Sequence, residues 1–176
     1  MTEPPTTARA RRAAPDFAAK LTFRFATDED VAALVPMINE AYMREAWLLP
    51  SPRVTAEWLG DDLADSRHRV IIAEHDGVLA GSVRVQWDLD DGAWFGLLAT
   101  SIAYQGRGVA PSLVAEAERI GREAGAGIMR LDCAEELGLP PYYESLGYEI
   151  ESVEPEFYLS PGRGPITRVV LKKELA

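Results

Sequence analysis

The sequence predicts an α/β fold whose central sheet is mixed, mostly antiparallel and flanked by helices. Between residues 70 and 100, three apolar segments follow one another through short turns, which is typical of antiparallel strands in a meander. Beyond residue 108, helical and strand-like patterns alternate, which indicates helices that cross a sheet. With 176 residues, the chain is long enough for one domain with a full hydrophobic core.

The N-terminal segment, residues 1–20, is rich in Pro, Ala, Thr and Arg and shows no regular hydrophobic period. A segment of this composition buries little apolar surface, so we expect a flexible tail. We expect residues 21–176 to form the single domain, within which no internal repeat is present.

The first ordered elements should be one strand and two helices. Residues 21–25 alternate apolar and polar side chains, as a half-buried strand does. Thr27 is a predicted N-cap, and apolar side chains recur at helical spacing over residues 31–42. Because Pro36 interrupts this pattern, we expect a kink in the helix there. A second, short helix is predicted at residues 55–63.

The meander should comprise strands at residues 70–73, 78–87 and 94–100. Gly77 and Gly92 lie in the two connecting turns, where the backbone needs the positive φ that glycine adopts without strain. Such short connections make neighbouring strands antiparallel.

The second half of the chain begins with a glycine-containing loop and an amphipathic helix that starts at Val109 and ends near Gly125. The remaining predictions are a strand, a short helix with a turn into the next strand, a closing segment and a final strand, at residues 128–133, 141–148, 156–160 and 166–172.

The chain carries 28 acidic and 18 basic residues, a formal net charge of −10. Because nucleic acids and anionic lipids bind basic surfaces, we expect neither nucleic acid nor a membrane as a partner. The acidity either attracts a cationic amine or serves solubility. No apolar run approaches the roughly 20 residues that span a bilayer, and the N-terminus lacks a signal peptide's apolar core. The single cysteine, Cys133, suits a reducing compartment, so we expect a cytoplasmic protein.

The segment with the most chemical information, residues 98–110, contains a strand end, a loop with Gly106 and Gly108, and the first turn of a helix. Small residues let the backbone approach a ligand, and free N–H groups at a helix start favour an anion such as a pyrophosphate. The glycines could equally serve a simple turn. Two other nucleotide motifs fit poorly, since the sequence has neither a GxxxxGK[ST] lysine nor a GxGxxG in a parallel βαβ unit.

A family resemblance supports the ligand-binding interpretation. Residues 105–110, Gln-Gly-Arg-Gly-Val-Ala, resemble the [RQ]-x-x-G-x-[GA] signature with which GNAT N-acetyltransferases bind the coenzyme A pyrophosphate. Residues 142–148, Tyr-Tyr-Glu-Ser-Leu-Gly-Tyr, resemble the family's F-Y-E-x-L-G-F segment. With the meander, the resemblance covers roughly residues 21–175. It implies a GNAT-type sheet that splays between strands ending near Thr100 and Cys133.

The resemblance also implies a reaction and its residues. Acetyl-CoA is the expected cosubstrate, no metal is expected, and the acetyl group passes directly to a primary amine of a small molecule or peptide. Tyr143 aligns with a tyrosine that protonates the departing thiolate in many members, which a phenol with a pKa of about 10 can do. Tyr142 is expected in the core. The predicted cofactor-binding residues are Leu98, Ala99, Thr100, Gln105, Gly106, Arg107, Gly108, Val109, Ala110 and Pro111.

Two departures from the family pattern stand out. Pro111 follows the signature directly and lacks an N–H, so one phosphate contact is lost. Glu136 stands where the family often has an asparagine, and this carboxylate is expected to face the substrate instead. The base that deprotonates the amine is not identified; Glu40, Glu45 and Asp88 are the candidates.

Two other functions remain open from the sequence. One is a non-catalytic domain that binds or senses acyl-CoA, and the other is an acyltransferase with a different acyl donor or a hydroxyl acceptor. The sequence also leaves a homodimer open.

Overall fold

The computed structural model describes residues 15–89, 92–159 and 163–176. Their strands form one seven-stranded sheet in the order β1-β2-β3-β4-β5-β7-β6. All neighbouring strands are antiparallel except β4 and β5, so the predicted mixed, mostly antiparallel sheet is confirmed. The strands are β1 (Leu21–Phe25), β2 (His68–His75), β3 (Val78–Leu89), β4 (Gly92–Thr100), β5 (Ile128–Ala134), β6 (Glu149–Phe157) and β7 (Ile166–Glu174).

Helices cover both faces of this sheet. They are α1 (Pro15–Ala18), α2 (Val31–Tyr42), α3 (Ala56–Ala64), α4 (Val109–Glu123) and α5 (Pro140–Ser145). None of the helices within the described ranges is long and apolar enough to cross a membrane.

The sheet separates two hydrophobic cores because side chains of a strand alternate between its faces. In β2, Ile71 and Ala73 pack in the core that contains α4, whereas Val70 and Ile72 pack in the core that contains α2 and α3. Ala99 of β4 belongs to the second core and is 2% exposed. Helices α4 and α2 therefore lie on opposite faces of the sheet.

Most predicted elements lie within a few residues of their expected positions. Helix α2 continues through Pro36 to Tyr42, and Thr55 caps α3 by accepting a hydrogen bond from the Trp58 N–H. One difference lies near the C-terminus, where β6 spans Glu149–Phe157 and the segment predicted at residues 156–160 is mostly outside it.

Two predicted turns fall partly outside the described residues. These are the turn before Gly92, which includes residues 90–91, and the Gly- and Pro-rich loop, which includes residues 160–162.

The N-terminal segment packs on the domain before the first strand begins. Residues 1–14, most of the predicted tail, lie outside the described residues. The helix Pro15–Ala18 follows, and the Phe17 ring stacks on His75 with a centroid distance of 4.3 Å. The Phe17 ring also lies 5.9 Å from that of Tyr104, in the turn before α4.

Strands β4 and β5 pair only at their beginnings. Ala93 faces Met129 and Trp94 faces Arg130, and the two strands diverge beyond these pairs. At the paired end the backbones are close, because a Cβ atom on Gly92 would lie 2.4 Å from the Ile128 carbonyl oxygen. The predicted splay of the sheet is therefore present, and it leaves space between the ends of the two strands.

Candidate active site

A cavity of about 530 Å³ opens where β4 and β5 diverge. One wall, here called the α4 wall, comprises residues 105–111 except Arg107. A second, here called the α2 wall, comprises five residues at the end of α2 and in the connection to α3, namely Ala41, Tyr42, Glu45, Leu49 and Arg53. Residues of β4, β5 and α5 lie between these two walls. Because α4 and α2 cover opposite faces of the sheet, the cavity passes through the gap in it.

Strand β4 carries a bulge where it lines the cavity. Ser82 faces Ala99 and Arg84 faces Gly96, so the single residue between them on β3 is opposed by Leu97 and Leu98. Leu97 has a φ of +50°, which a bulky residue rarely adopts. A bulge leaves backbone groups out of the ladder, and these groups are available to a ligand in the cavity.

The α4 wall is shaped by two glycines in the left-handed region, Gly106 with a φ of +74° and Gly108 with a φ of +89°. They turn the chain into α4, whose first N–H groups, those of Val109 and Ala110, have no acceptor within the helix. Such groups bind oxyanions, and the helix dipole adds to the attraction. Pro111 lies in the same first turn and contributes no N–H.

The structure brings together nine of the ten predicted cofactor-binding residues, because all of them except Arg107 line the cavity. The Arg107 guanidinium lies instead over the rings of Phe17 and Tyr104, 5.5 and 5.9 Å from their centroids. Its side chain is therefore held outside the cavity by aromatic contacts.

Tyr143 also lines the cavity, and it belongs to the same hydrophobic core as α4. It is 8% exposed and lies near Phe95, with 6.0 Å between the ring centroids. Burial raises the pKa of its phenol well above the ordinary value, so the hydroxyl stays protonated at neutral pH. Its hydroxyl makes no hydrogen bond with the residues that the structure describes.

Tyr142 lies against Tyr143, with 5.1 Å between ring centroids, and lines the cavity as well. Its hydroxyl is buried without a hydrogen-bond partner, and burial raises the pKa of this phenol to about 12. The ring packs against the core, as expected, but the unpartnered hydroxyl makes Tyr142 a natural comparison for Tyr143.

Of the three acids predicted as candidate bases, Glu45 lines the cavity. Burial raises the pKa of its carboxyl group, and the positive charge of Arg53 opposes that rise. Glu40 is exposed and is not part of the cavity wall. The side chain of Asp88 lies outside the described part of the chain.

Glu136 does not face the cavity, contrary to the expectation from the sequence. Its carboxylate is exposed and accepts a hydrogen bond of 2.7 Å from the backbone N–H of Thr167. It therefore holds the start of β7, because the turn after β5 brings it beside that strand.

Cys133 lines the cavity, and burial raises the pKa of its thiol to about 12, so it remains protonated. A thiol in that state is a poor nucleophile. In the described ranges, no three His, Cys, Asp or Glu side chains come together as metal ligands would.

Comparisons with known proteins identify a family and a shared fold. The model of the family described as the acetyltransferase (GNAT) family matches residues 32–148. A spermidine N-acetyltransferase from Vibrio cholerae, in complex with CoA and spermine, has a similar structure: the TM-score is 0.74 at 19% identity, over 89% of this chain and 96% of that chain. No curated protein matches the sequence.

Two further solved structures are similar. A proposed acetyltransferase from Salmonella typhimurium with its cofactor acetyl-CoA gives a TM-score of 0.71 at 20% identity, over 89% of this chain and 95% of that chain. The ribosomal-protein-S18-alanine N-acetyltransferase from Escherichia coli gives a TM-score of 0.72 at 16% identity, over 89% of this chain and 94% of that chain. At these identities the likeness concerns the fold.

Proposed function

Because the chain belongs to the GNAT family of acetyltransferases, we propose that it transfers the acetyl group of acetyl-CoA directly to the primary amine of a small molecule. The observation that carries the proposal is the cavity between β4 and β5. A backbone anion site at the start of α4 and two titratable groups, Tyr143 and Glu45, line the same space.

The residues present fit acetyl-CoA. The left-handed glycines and free N–H groups of the α4 wall suit a pyrophosphate, and the gap between the strands suits an extended pantetheine arm. When bound, acetyl-CoA supplies an electrophilic thioester carbonyl and a thiolate leaving group. The bulge at Leu97 and Leu98 frees backbone N–H groups that polarise this carbonyl.

Glu45 is the base in this proposal. An amine attacks only in its neutral form, so the carboxylate accepts a proton from the ammonium group, directly or through a water molecule. Burial raises the pKa of Glu45 toward neutral pH, so its carboxylate is a stronger base than an exposed one.

Tyr143 is the acid. As the new carbon–nitrogen bond forms and the carbon–sulfur bond breaks, the phenol donates its proton to the sulfur. The second amine proton then restores the phenol through solvent, and Glu45 releases the first amine proton to solvent. Its hydroxyl has no competing hydrogen bond among the described residues, so it is free to point at the sulfur.

The acceptor is a small-molecule amine in this proposal, because the cavity is walled on both faces of the sheet. The Vibrio cholerae relative was solved with spermine, a small-molecule amine. A net charge of −10 disfavours binding to nucleic acid or an anionic membrane, so the proposal includes neither partner and places the enzyme in the cytoplasm.

The test is a panel of primary amines incubated with the enzyme and acetyl-CoA, with release of free thiol as the readout. We expect thiol release that depends on the amine. Calorimetric binding of acetyl-CoA without thiol release on any amine would instead indicate a sensing domain. Faster release from a longer acyl-CoA, or with an alcohol series, would indicate the alternative acyl donor or hydroxyl acceptor.

A further inference from the structure

Arg53 lines the cavity, and its side chain forms a hydrogen bond with the Tyr42 hydroxyl but no ion pair with any described carboxylate. Its Nε atom is buried and has no hydrogen-bond partner, and its guanidinium forms no ion pair with the described residues. The guanidinium lies over the ring of Tyr42, 5.3 Å from the centroid, so an aromatic face supports it from one side.

The backbone at Arg53 is held firmly. The side-chain oxygen of Asn39, on α2, accepts hydrogen bonds from the N–H groups of Arg53 and Val54 at 2.7 and 3.0 Å. The side-chain nitrogen of Asn39 donates to the Val54 carbonyl at 2.9 Å. These three bonds fix the backbone of the connection to the end of α2, and the contact with the Tyr42 ring restricts where the guanidinium can lie before a ligand arrives.

The second arginine that lines the cavity, Arg168, is paired with carboxylates of the protein. Arg168 donates to Asp132 at 2.8 Å and to Glu154 at 3.1 Å, so carboxylates of the protein already occupy its guanidinium. The acid on the same wall as Arg53 is Glu45, whereas Asp132, across the cavity, is paired with Arg168. The positive charge of Arg53 lowers the pKa of Glu45, but the two groups form no ion pair.

The guanidinium is half-buried, and a buried Nε–H group without an acceptor is costly unless a ligand supplies one. The matching ligand group is a planar oxyanion, since an arginine fork binds a carboxylate through two parallel hydrogen bonds. On the same wall, Glu45 presents a negative charge that suits an ammonium group. The α2 wall thus offers one cation and one anion to a single small molecule.

We propose that the acceptor is an amine that also carries a carboxylate, an amino acid or a close analogue, and that Arg53 binds its carboxylate while Glu45 receives its amine. This inference rests on the proposed acetyltransferase function. Apolar side chains around the same space, those of Leu49 and Phe157, suit an acceptor with an apolar side chain.

The first experiment compares acceptors with the wild-type enzyme. The probes are leucine, methionine and phenylalanine, each beside its primary amide, with thiol release at saturating acetyl-CoA. Removal of the carboxylate charge lowers the pKa of the amine, so the amide offers more neutral amine and reacts faster on chemical grounds alone. We expect the free amino acid to have the higher kcat/KM, which would oppose that trend. Equal or faster turnover of the amides would overturn the inference and leave the acetyltransferase proposal standing.

The second experiment removes the charge. In Arg53→Met, which keeps an unbranched apolar stem over Tyr42, we expect the ratio of kcat/KM for acid over amide to fall about 10- to 100-fold, mainly through KM. Arg53→Lys should recover part of the ratio, since it keeps the charge but loses the fork. The matched control is Arg69→Met, because Arg69 lies over Trp87 at 5.5 Å, outside the cavity, and its loss should leave the ratio unchanged.

These outcomes separate the two proposals. Thiol release on no amine at all would contradict the proposed function, whereas release on amides alone would contradict only the role of Arg53. An equal loss on acid and amide in Arg53→Met, with acetyl-CoA affinity retained, would show that Arg53 supports the wall rather than selects the acceptor. If Arg53→Met fails to fold, Arg53→Lys and the wild-type comparison still decide the question.

Discussion

Backbone groups form the α4 wall of the cavity, whereas side chains form its α2 wall. The α4 wall depends on two left-handed glycines and the start of a helix. Other side chains could stand there as long as the backbone keeps this conformation. The α2 wall depends on Glu45 and Arg53, whose identities set charge and pKa. Under the proposed function, backbone conformation would hold the cosubstrate and charged side chains would hold the acceptor. Changes to the two walls should therefore affect different kinetic constants.

The largest effect is expected at the α2 wall, from Glu45→Gln. Removing the proposed base should lower kcat by about 10²- to 10⁴-fold, with little change in acetyl-CoA affinity. In the wild type, activity should fall as the pH drops through the raised pKa of Glu45, because the base works only when ionised. A pH–rate profile of both proteins measures this, and a variant that keeps the acid limb would exclude Glu45 as the base.

Ionisation of Glu45 should lower the stability of the fold, although the same ionisation is needed for activity. Since burial raises the pKa of folded Glu45 above its ordinary 4.5, the folded state holds this proton more tightly than the unfolded chain. The contribution of Glu45 to stability therefore decreases as pH rises from 4.5 through the raised pKa, and Glu45→Gln should remove this loss. Melting temperatures between pH 4 and 8 test the sign; a wild type that gains from ionisation of Glu45 would contradict it.

The next largest effect concerns the two tyrosines between the walls. Tyr143→Phe keeps the packing against Phe95 and should lower turnover by about 10²-fold, the lower end of the range because a thiolate leaves without much help. Tyr142→Phe is the matched control. It removes a buried hydroxyl that has no partner, so turnover should hold and the free energy of unfolding should rise by up to about 1 kcal/mol. The reverse pattern in steady-state rates would assign the proton to Tyr142.

A smaller effect is expected at the α4 wall, from Gly108→Val. A valine at a φ of +89° is strained by about 1–3 kcal/mol, and its side chain keeps the phosphate away from the backbone. We expect acetyl-CoA affinity to weaken about 10- to 100-fold by calorimetry. Gly77→Val carries similar strain at a φ of +76°, in a hairpin outside the cavity, and should leave affinity unchanged. Equal affinities in the two variants would remove the α4 wall from the cofactor site.

The smallest effect is expected outside both walls, at the aromatic stack behind the α4 wall. Phe17→Ala removes the ring beneath Arg107 and beside His75, which should cost about 1 kcal/mol, or roughly 2–4 °C in Tm. Deletion of residues 1–14, which leaves this ring in place, should not change Tm. A loss on deletion as large as that in Phe17→Ala would show that the segment before residue 15 also packs on the domain.

The α4 wall was predictable from the sequence because its signals are local. Gly106, Gly108 and the apolar stripe of α4 lie within a few residues of one another, and conformation at such sites is set by the residues themselves. The strands and most helices were predictable for the same reason. Arg107 belongs to the same local pattern, yet its side chain turns to Phe17, a residue 90 positions earlier.

The rest required the tertiary structure because it depends on contacts between distant segments. The sequence places Glu40, Glu45 and Asp88 on equal terms, and the packing of α2 against β4 brings Glu45 to the cavity. No sequence pattern pointed to Arg53, because its interest comes from a buried Nε atom that has no hydrogen-bond partner in the folded structure. The sequence does not predict the direction of the Glu136 side chain, because its partner, Thr167, lies 31 residues away on β7. Periodicity and the glycine positions were thus enough to predict the elements and the glycine-containing loop before α4. Only the folded chain decided which charged side chains meet, because charge and pKa depend on what surrounds a group rather than on what precedes it.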